Sequence, residues 1–281
     1  MSLQNLPTLK ETLTEQGLMA KKSFGQHFLL DLNVTRKIVR QAEPLTGQVV
    51  IEVGPGPGGL TRALLESDAA HVIAVEKDPR FLPLLAELAA AAPGRLTVIE
   101  ADALEVNEAE LSASVGGSPD TTRIIANLPY NVGTPLLLKW LTGPFTPKAM
   151  TLMFQKEVAL RIAAEPGSDA YGRLAVIAQA LAECRVVMTL PARAFTPPPK
   201  VDSAVAHLIL KKDRPSPALI KALERVTHDA FGQRRKMLRS SLKTLGGEAL
   251  CAAAGIAPDS RAEVIDVQGF LTLAQRVLDR A

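Results

Sequence analysis

Val49-Val50-Ile51-Glu52-Val53-Gly54-Pro55-Gly56-Pro57-Gly58-Gly59 is the stretch whose reading decides the fold. Its first five residues, mostly β-branched, predict a buried strand. The glycines that follow permit positive φ and leave no Cβ between the backbone and a ligand. A helix is expected from about Leu60. Strand, glycine loop and helix together form the βα unit of nucleotide-binding sheets, with Gly54, Gly56 and Gly59 matching G-x-G-x-x-G.

That pattern serves NAD and S-adenosylmethionine alike, and two details favour the second. Glu52 precedes the first glycine and would repel a pyrophosphate, whereas it can order the loop or attract a sulfonium-bearing amino acid. Pro55 and Pro57 remove two N–H donors that a phosphate cradle would need. Further strands are expected at His71–Val75, ending in Glu76, and at Leu96–Glu100, followed by Asp102. An acid at the end of the second strand can accept from both ribose hydroxyls of an adenosine, and Asp102 can accept from an adenine amino group. A fourth apolar run, Arg123-Ile124-Ile125-Ala126, delivers Asn127-Leu128-Pro129-Tyr130. Those four residues supply two acceptors for an NH₂ group, a rigid proline and an aromatic face for stacking. In an open parallel sheet, ligand groups collect beyond the carboxyl ends of the strands, and all four sets meet that condition.

Downstream, helices are expected at Thr134–Leu141, from Gln155 and over Tyr171–Ala182, with strands at Ala149–Phe154, Arg185–Leu190 and Ala204–Leu210. Phe195-Thr196-Pro197-Pro198-Pro199-Lys200-Val201-Asp202-Ser203 reads as a stiff, extended loop, either a rigid connection or a surface facing substrate. After Lys211 the strand signals stop, and Pro215 and Pro217 mark a boundary. Phe231 to Lys243 reads as helical, with Met237, Leu238 and Leu242 facing a small core. Arg234, Arg235, Lys236, Arg239 and Lys243 are then candidates for phosphate contact. From Lys211 onward there are 13 Lys/Arg against 8 Asp/Glu, whereas the rest has 19 against 21. The basic character is therefore concentrated in the tail, which points to a polyanion there.

With 281 residues, 47% of them hydrophobic, the chain suits one large domain and a small one. We expect a flexible lead-in with some helical character over 1–20, a catalytic domain over 21–211 and a helical RNA-binding domain over 212–281. Lys21 to Asp31 reads as a basic, aromatic segment able to cover a ligand. Cys184 and Cys251 have neither ligand nor redox spacing, so packing roles and a reducing compartment are expected. No stretch is long and apolar enough to span a membrane, and no signal-like segment opens the chain, so the expected location is the cytoplasm.

As a set, Phe24-Gly25-Gln26-His27-Phe28-Leu29, Glu52-Val53-Gly54-Pro55-Gly56, Glu76, Asp102, Asn127-Leu128-Pro129-Tyr130-Asn131, Gln155-Lys156-Glu157-Val158, Tyr171-Gly172-Arg173-Leu174 and the Phe195–Ser203 loop resemble one family. It is the small-subunit ribosomal RNA adenine N6,N6-dimethyltransferases of the kasugamycin-sensitivity type. The resemblance covers roughly residues 20–210, and Phe231 to Lys243 is similar to the family's helical tail. It implies an α/β class I methyltransferase fold, Rossmann-like with a mostly parallel sheet, and a small all-helical C-terminal domain. It implies S-adenosylmethionine as donor, no metal, and two adjacent adenines near the 3′ end of 16S rRNA in a pre-ribosomal 30S particle as substrate of a monomer. Cofactor contacts fall on His27, Leu29, Gly54, Gly56, Glu76, Asp102 and Asn127. Asn127, Leu128, Tyr130 and Phe195 fall around the base, Phe195 covering the face opposite Tyr130. The family usually has Asn where this chain has His27. Sharing the Asn-Leu-Pro-Tyr box, a large-subunit rRNA adenine methylase is the nearest alternative, and an assembly factor that keeps the fold without turnover is a second.

Overall fold

The structure is a computed structural model, and it describes residues 3, 6–15, 17–18, 27–233 and 235–280. Lys21–Gln26, the first six residues of the expected ligand-covering segment Lys21–Asp31, and Arg234 lie outside these. In chain order the elements are α1 (Leu9–Glu15), β1 (Phe28–Leu29), α2 (Leu32–Arg40), β2 (Val49–Val53), α3 (Gly59–Leu65), β3 (His71–Glu76), α4 (Leu82–Ala91), β4 (Leu96–Glu100), α5 (Glu108–Ser114), β5 (Thr122–Asn127), α6 (Gly133–Thr142), β6 (Ala149–Gln155) and α7 (Lys156–Ile162). They continue with α8 (Arg173–Leu181), β7 (Ala182–Leu190), β8 (Phe195–Thr196), β9 (Ser203–Leu210), α9 (Pro217–Gly232), α10 (Leu238–Ser241), α11 (Gly247–Ala253) and α12 (Val267–Leu278).

Seven strands form one sheet in the order β4-β3-β2-β5-β6-β9-β7. The pairs β4/β3, β3/β2, β2/β5 and β5/β6 are parallel, and β9 joins β6 antiparallel. All five residues of β2 are buried, as are the last five of β3 and the first five of β5. That is why these segments read as unbroken apolar runs: a parallel sheet is covered on both faces. From β2 the chain winds outward through β3 and β4, then returns to the other side of β2 as β5. The strand order reverses between β2 and β5, which places a ligand crevice beyond their carboxyl ends.

The chain divides into two compact units, Met1–Ala159 with Val186–Ile209, and Leu160–Arg185 with Leu210–Ala281. The second unit is helical through α8–α12 and takes in residues well before the boundary expected at 211/212, because α8 packs against α9 and α12. Tyr171, fully buried, lies at its centre: its hydroxyl donates to the Ile265 carbonyl at 2.8 Å, and its ring meets Phe231 edge-on. Ser216 and Asp266 cap α9 and α12 by accepting from the amides of Leu219 and Gly269.

Two expectations are corrected here. The run from Phe231 to Lys243 is not one helix. α9 stops at Gly232, Met237 makes an isolated bridge to Arg261, and α10 spans only Leu238–Ser241. Leu238 and Leu242 are buried as expected, but Met237 is 40% exposed, since the break takes it off the apolar face. The helical character expected in the lead-in is α1, which is packed rather than free. Leu9 and Leu13 of α1 are buried, and Arg62 donates to the Pro7 carbonyl at 2.7 Å. Thr8 and Glu11 form a reciprocal cap that starts α1: Thr8 donates its amide and hydroxyl to the Glu11 carboxylate, and Glu11 N–H returns a bond to the Thr8 hydroxyl.

Candidate active site

Between the ends of β2 and β5 a cavity encloses about 740 Å³, part of it open to solvent. Glu52, Gly54–Pro57, Gly59, Glu76, His27 to Leu29, Phe81 and Asn127 to Tyr130 line it. Of the residues the sequence assigns to cofactor and base, the cavity therefore gathers His27, Leu29, Gly54, Gly56, Glu76, Asn127, Leu128 and Tyr130. It does not gather Asp102 or Phe195.

The glycine loop is fixed by its own backbone and by one carboxylate. Gly54 and Gly56 adopt φ of 66° and 52°, with Pro55 between them. A Cβ on Gly54 would lie 3.5 Å from Pro129 Cδ, so the loop and the Asn-Leu-Pro-Tyr turn are one side-chain atom apart. Gly56 N–H donates to Glu76 Oε2 at 2.9 Å, and Asp78 N–H donates to Oε1 at 2.8 Å. Burial pushes the Glu76 carboxyl above its ordinary value, while these bonds pull the other way. A carboxylate accepts up to about four hydrogen bonds, so Glu76 can hold the loop and still receive two ligand hydroxyls.

Glu52 had two readings in the sequence, and the structure supports the ordering one. Its carboxyl is 1% exposed and accepts from the buried Thr61 hydroxyl at 2.6 Å, tying β2 to α3 across the loop. Burial pushes its pKa up to about 8, with Glu76 nearby adding to the effect. At neutral pH the free protein thus presents chiefly the neutral acid there and no standing anion.

Asn127 ends β5 with its side chain half-buried, and its Nδ2 donates to the His27 carbonyl over 3.4 Å. That bond orients the amide and leaves Oδ1 as the acceptor for a ligand. The Tyr130 ring lies 5.5 Å from the His27 ring, tilted by 33°. Its hydroxyl is within 2.8 Å of Ser203 Oγ, and burial raises the phenol above its ordinary pKa. His27 Nδ1 is 2.8 Å from the Pro197 carbonyl. A carbonyl oxygen only accepts, so Nδ1 carries the proton of this bond. Phe28 and Phe81 meet edge-on at 5.4 Å and close another part of the wall, with Leu13 and Leu84 packed with them. The sequence places Phe28 only within the ligand-covering segment Lys21–Asp31 and does not assign Phe81 to the site. The available signal was their aromaticity in a chain with only 4% aromatic residues.

Phe195 does not cover a base in this structure. It is 3% exposed, belongs to the core beside Leu29, and pairs with Leu29 in a two-stranded ladder of β1 and β8. Apolar burial and backbone pairing both hold it there. Asp102 follows β4, and its carboxylate receives Lys77 Nζ at 2.7 Å and Leu104 N–H at 2.9 Å, which keep its pKa below the ordinary value. Arg235, Lys236, Arg239 and Lys243 are exposed, and Arg239 pairs with Asp259 at 2.8 Å.

A family model for ribosomal RNA adenine dimethylase matches residues 17–279. A ribosomal RNA small subunit methyltransferase A of Phenylobacterium zucineum is 66% identical, covering 100% of this chain and 96% of its own. That of Mesorhizobium japonicum is 55% identical over 99% of this chain and 100% of its own. Among solved structures, a dimethyladenosine transferase from Plasmodium falciparum superposes with a TM-score of 0.72 at 26% identity, over 88% of this chain and 96% of that one. The 23S rRNA methyltransferase ErmE gives 0.68 at 27% identity, over 89% and 99%.

Proposed function

This chain belongs to the ribosomal RNA adenine dimethylase family, and from that membership we infer that its cavity presents an adenine amino group of small-subunit rRNA to S-adenosylmethionine. The protein is an S-adenosylmethionine-dependent methyltransferase that dimethylates adenine N6 in small-subunit rRNA. We take its target to be two adjacent adenines near the 3′ end of 16S rRNA, within an assembling 30S particle in the cytoplasm, and the active form to be a monomer. The single observation that carries the reading is that Asn127, Leu128 and Tyr130 line the same cavity as the glycine loop and Glu76.

The residues present fit the cofactor. Gly54 and Gly56 put no Cβ between their backbone and the cavity, Glu76 offers acceptors for ribose hydroxyls, and Phe81 supplies an apolar wall for an adenine. His27, Leu29 and Asn127 complete the set we assign to it. Asp102, whose carboxylate holds Lys77 and the Leu104 amide, keeps acceptor capacity for an adenine amino group at the rim, outside the cavity lining. S-adenosylmethionine, when bound, supplies an electrophilic methyl on a sulfonium sulfur.

The chain's own work is to hold the nucleophile. Adenine N6 is weakly nucleophilic because its lone pair is shared with the ring. Asn127 Oδ1 and the Leu128 carbonyl accept its two N–H bonds, which favours a tetrahedral nitrogen, and Tyr130 stacks on the base for about 1–3 kcal/mol. No general base has to act before transfer, since the alkylated nitrogen is acidic and releases its proton afterwards. Orientation and fixed dipoles carry catalysis. The base must leave its stack to enter. In the helical unit, Arg235, Lys236 and Lys243 form the exposed cationic group we assign to rRNA phosphates, with Arg239 partly engaged by Asp259.

The test is methylation of immature small subunits by the purified protein with labelled S-adenosylmethionine, followed by mass spectrometry of the digested RNA. N6,N6-dimethyladenine is expected. Label confined to DNA or to large-subunit RNA would sink the reading.

A further inference from the structure

The proline-rich loop does not reach the base through Phe195, yet it touches the site twice. At its start, the Pro197 carbonyl holds His27 Nδ1 at 2.8 Å, and His27 lies against the Tyr130 ring. At its end, Ser203 Oγ holds the Tyr130 hydroxyl at 2.8 Å. The Ser203 end is rigid. Ser203 is fully buried and opens β9 opposite Gln155. Its neighbour Asp202 is pinned from two directions: its carbonyl accepts from Lys156 N–H at 2.9 Å, and its carboxylate accepts from Ala192 N–H at 2.9 Å. The phenol of Tyr130 is thus fastened to an immobile point of the sheet.

We propose that Ser203 is a positioning residue for the base platform, and that its hold on Tyr130 matters more for the second methyl transfer than for the first. This rests on the functional reading above. An unmodified adenine amino group offers two N–H bonds to Asn127 and Leu128. After one methylation a single N–H remains, so the base is placed more by stacking and less by hydrogen bonds. A platform free to tilt then costs the second transfer more. His27, clamped by Pro197, limits the tilt from the ring side, and Ser203 limits it at the hydroxyl.

The experiment compares the parent with Ser203→Ala, Tyr130→Phe and the double variant on immature small subunits, quantifying mono- and dimethyladenine over time. Ser203→Ala keeps the backbone pairing of β9 and removes only the hydroxyl. Loss of one such bond corresponds to roughly threefold to tenfold. The second transfer should slow by about that factor more than the first, so N6-monomethyladenine accumulates. Tyr130→Phe removes the same bond from the other side and should give the same shift, with the double variant no worse than the weaker single one. A merely structural serine would slow both transfers together. An unchanged mono-to-dimethyl ratio, or losses that add in the double variant, would overturn the tether while the parent still makes dimethyladenine. A parent that makes neither product overturns the functional reading and the tether with it.

Discussion

Replacing Glu52 with glutamine isolates the electrostatic cost built into the floor of the cavity. Glutamine keeps the shape and an oxygen for the Thr61 hydroxyl but does not titrate. In the unfolded chain the carboxyl ionises near its ordinary value of 4.5, and in the folded protein burial holds it up to about 8. Between those values the folded state binds more protons than the unfolded state, so stability falls as pH rises. Below about 4.5 both states are protonated and nothing is lost; above about 8 the whole loss is in place. Each pKa unit is worth about 1.4 kcal/mol, which sets an upper bound on the order of 5 kcal/mol. Relaxation and water entry around a newly formed ion reduce this, and about 2–3 kcal/mol is the expected loss.

For a chain of this size, about 2–4 °C of Tm per kcal/mol gives a gap of roughly 5–10 °C at high pH. The assay is thermal unfolding of parent and Glu52→Gln at several pH values from 5 to 9. The variant should gain on the parent as pH rises to 8, after which the gap should stay constant. Glu76, also buried and also raised, remains in both proteins, so the difference reports Glu52 and its coupling to Glu76. A gap that is constant from pH 5 to 9, or one that narrows with rising pH, would refute the assignment of a buried, proton-holding carboxyl.

Gly59→Ala would place a Cβ 2.4 Å from the Leu29 carbonyl oxygen, so β1 must shift. The expected cost is about 1–3 kcal/mol in unfolding, with weaker S-adenosylmethionine binding by calorimetry. Gly172→Ala, which meets nothing within 4 Å, is the neutral control. Asn127→Ala should lower methyl transfer by at least about 100-fold while filter binding to rRNA largely survives; equal loss of both would mean the residue serves the RNA contact. Arg235, Lys236 and Lys243 changed together to Ala should flatten the log-affinity against log-salt slope by about 2–3 if each meets a phosphate. An unchanged slope would remove them from the interface.

Where one contiguous run specified the structure, the sequence was legible. β2, β3 and β5 are buried runs that lead at their carboxyl ends into the glycine loop, Glu76 and Asn127, so their order alone predicts that these groups converge. Asp102 obeys the same rule and still lies outside the cavity lining, its carboxylate paired with Lys77, one residue past Glu76. That capture depends on β3 and β4 being neighbours, which no local pattern encodes. Phe195 shows the same limit more sharply. Its burial comes with a two-residue ladder between segments far apart in the chain, too short to leave an alternating pattern.

The reading of 1–20 had a local signal to use. Thr8-x-x-Glu11 is a capping box, and Leu9, Thr12 and Leu13 share one helical face, all three buried. The polar residues between them suggested mobility, but a helix needs only one apolar stripe to dock. Here the stripe brings Leu13 into contact with Phe28 and Phe81, two walls of the cavity. The proline-rich loop makes the complementary point. Its composition indicates stiffness, and only the fold places Pro197 and Ser203 against His27 and Tyr130. Rigidity in that loop need not face the substrate to act on it. On the proposal above, fixing both ends of the Tyr130 platform sets where an adenine ring rests, and that placement decides whether N6 still reaches the methyl once one of its hydrogens has been replaced.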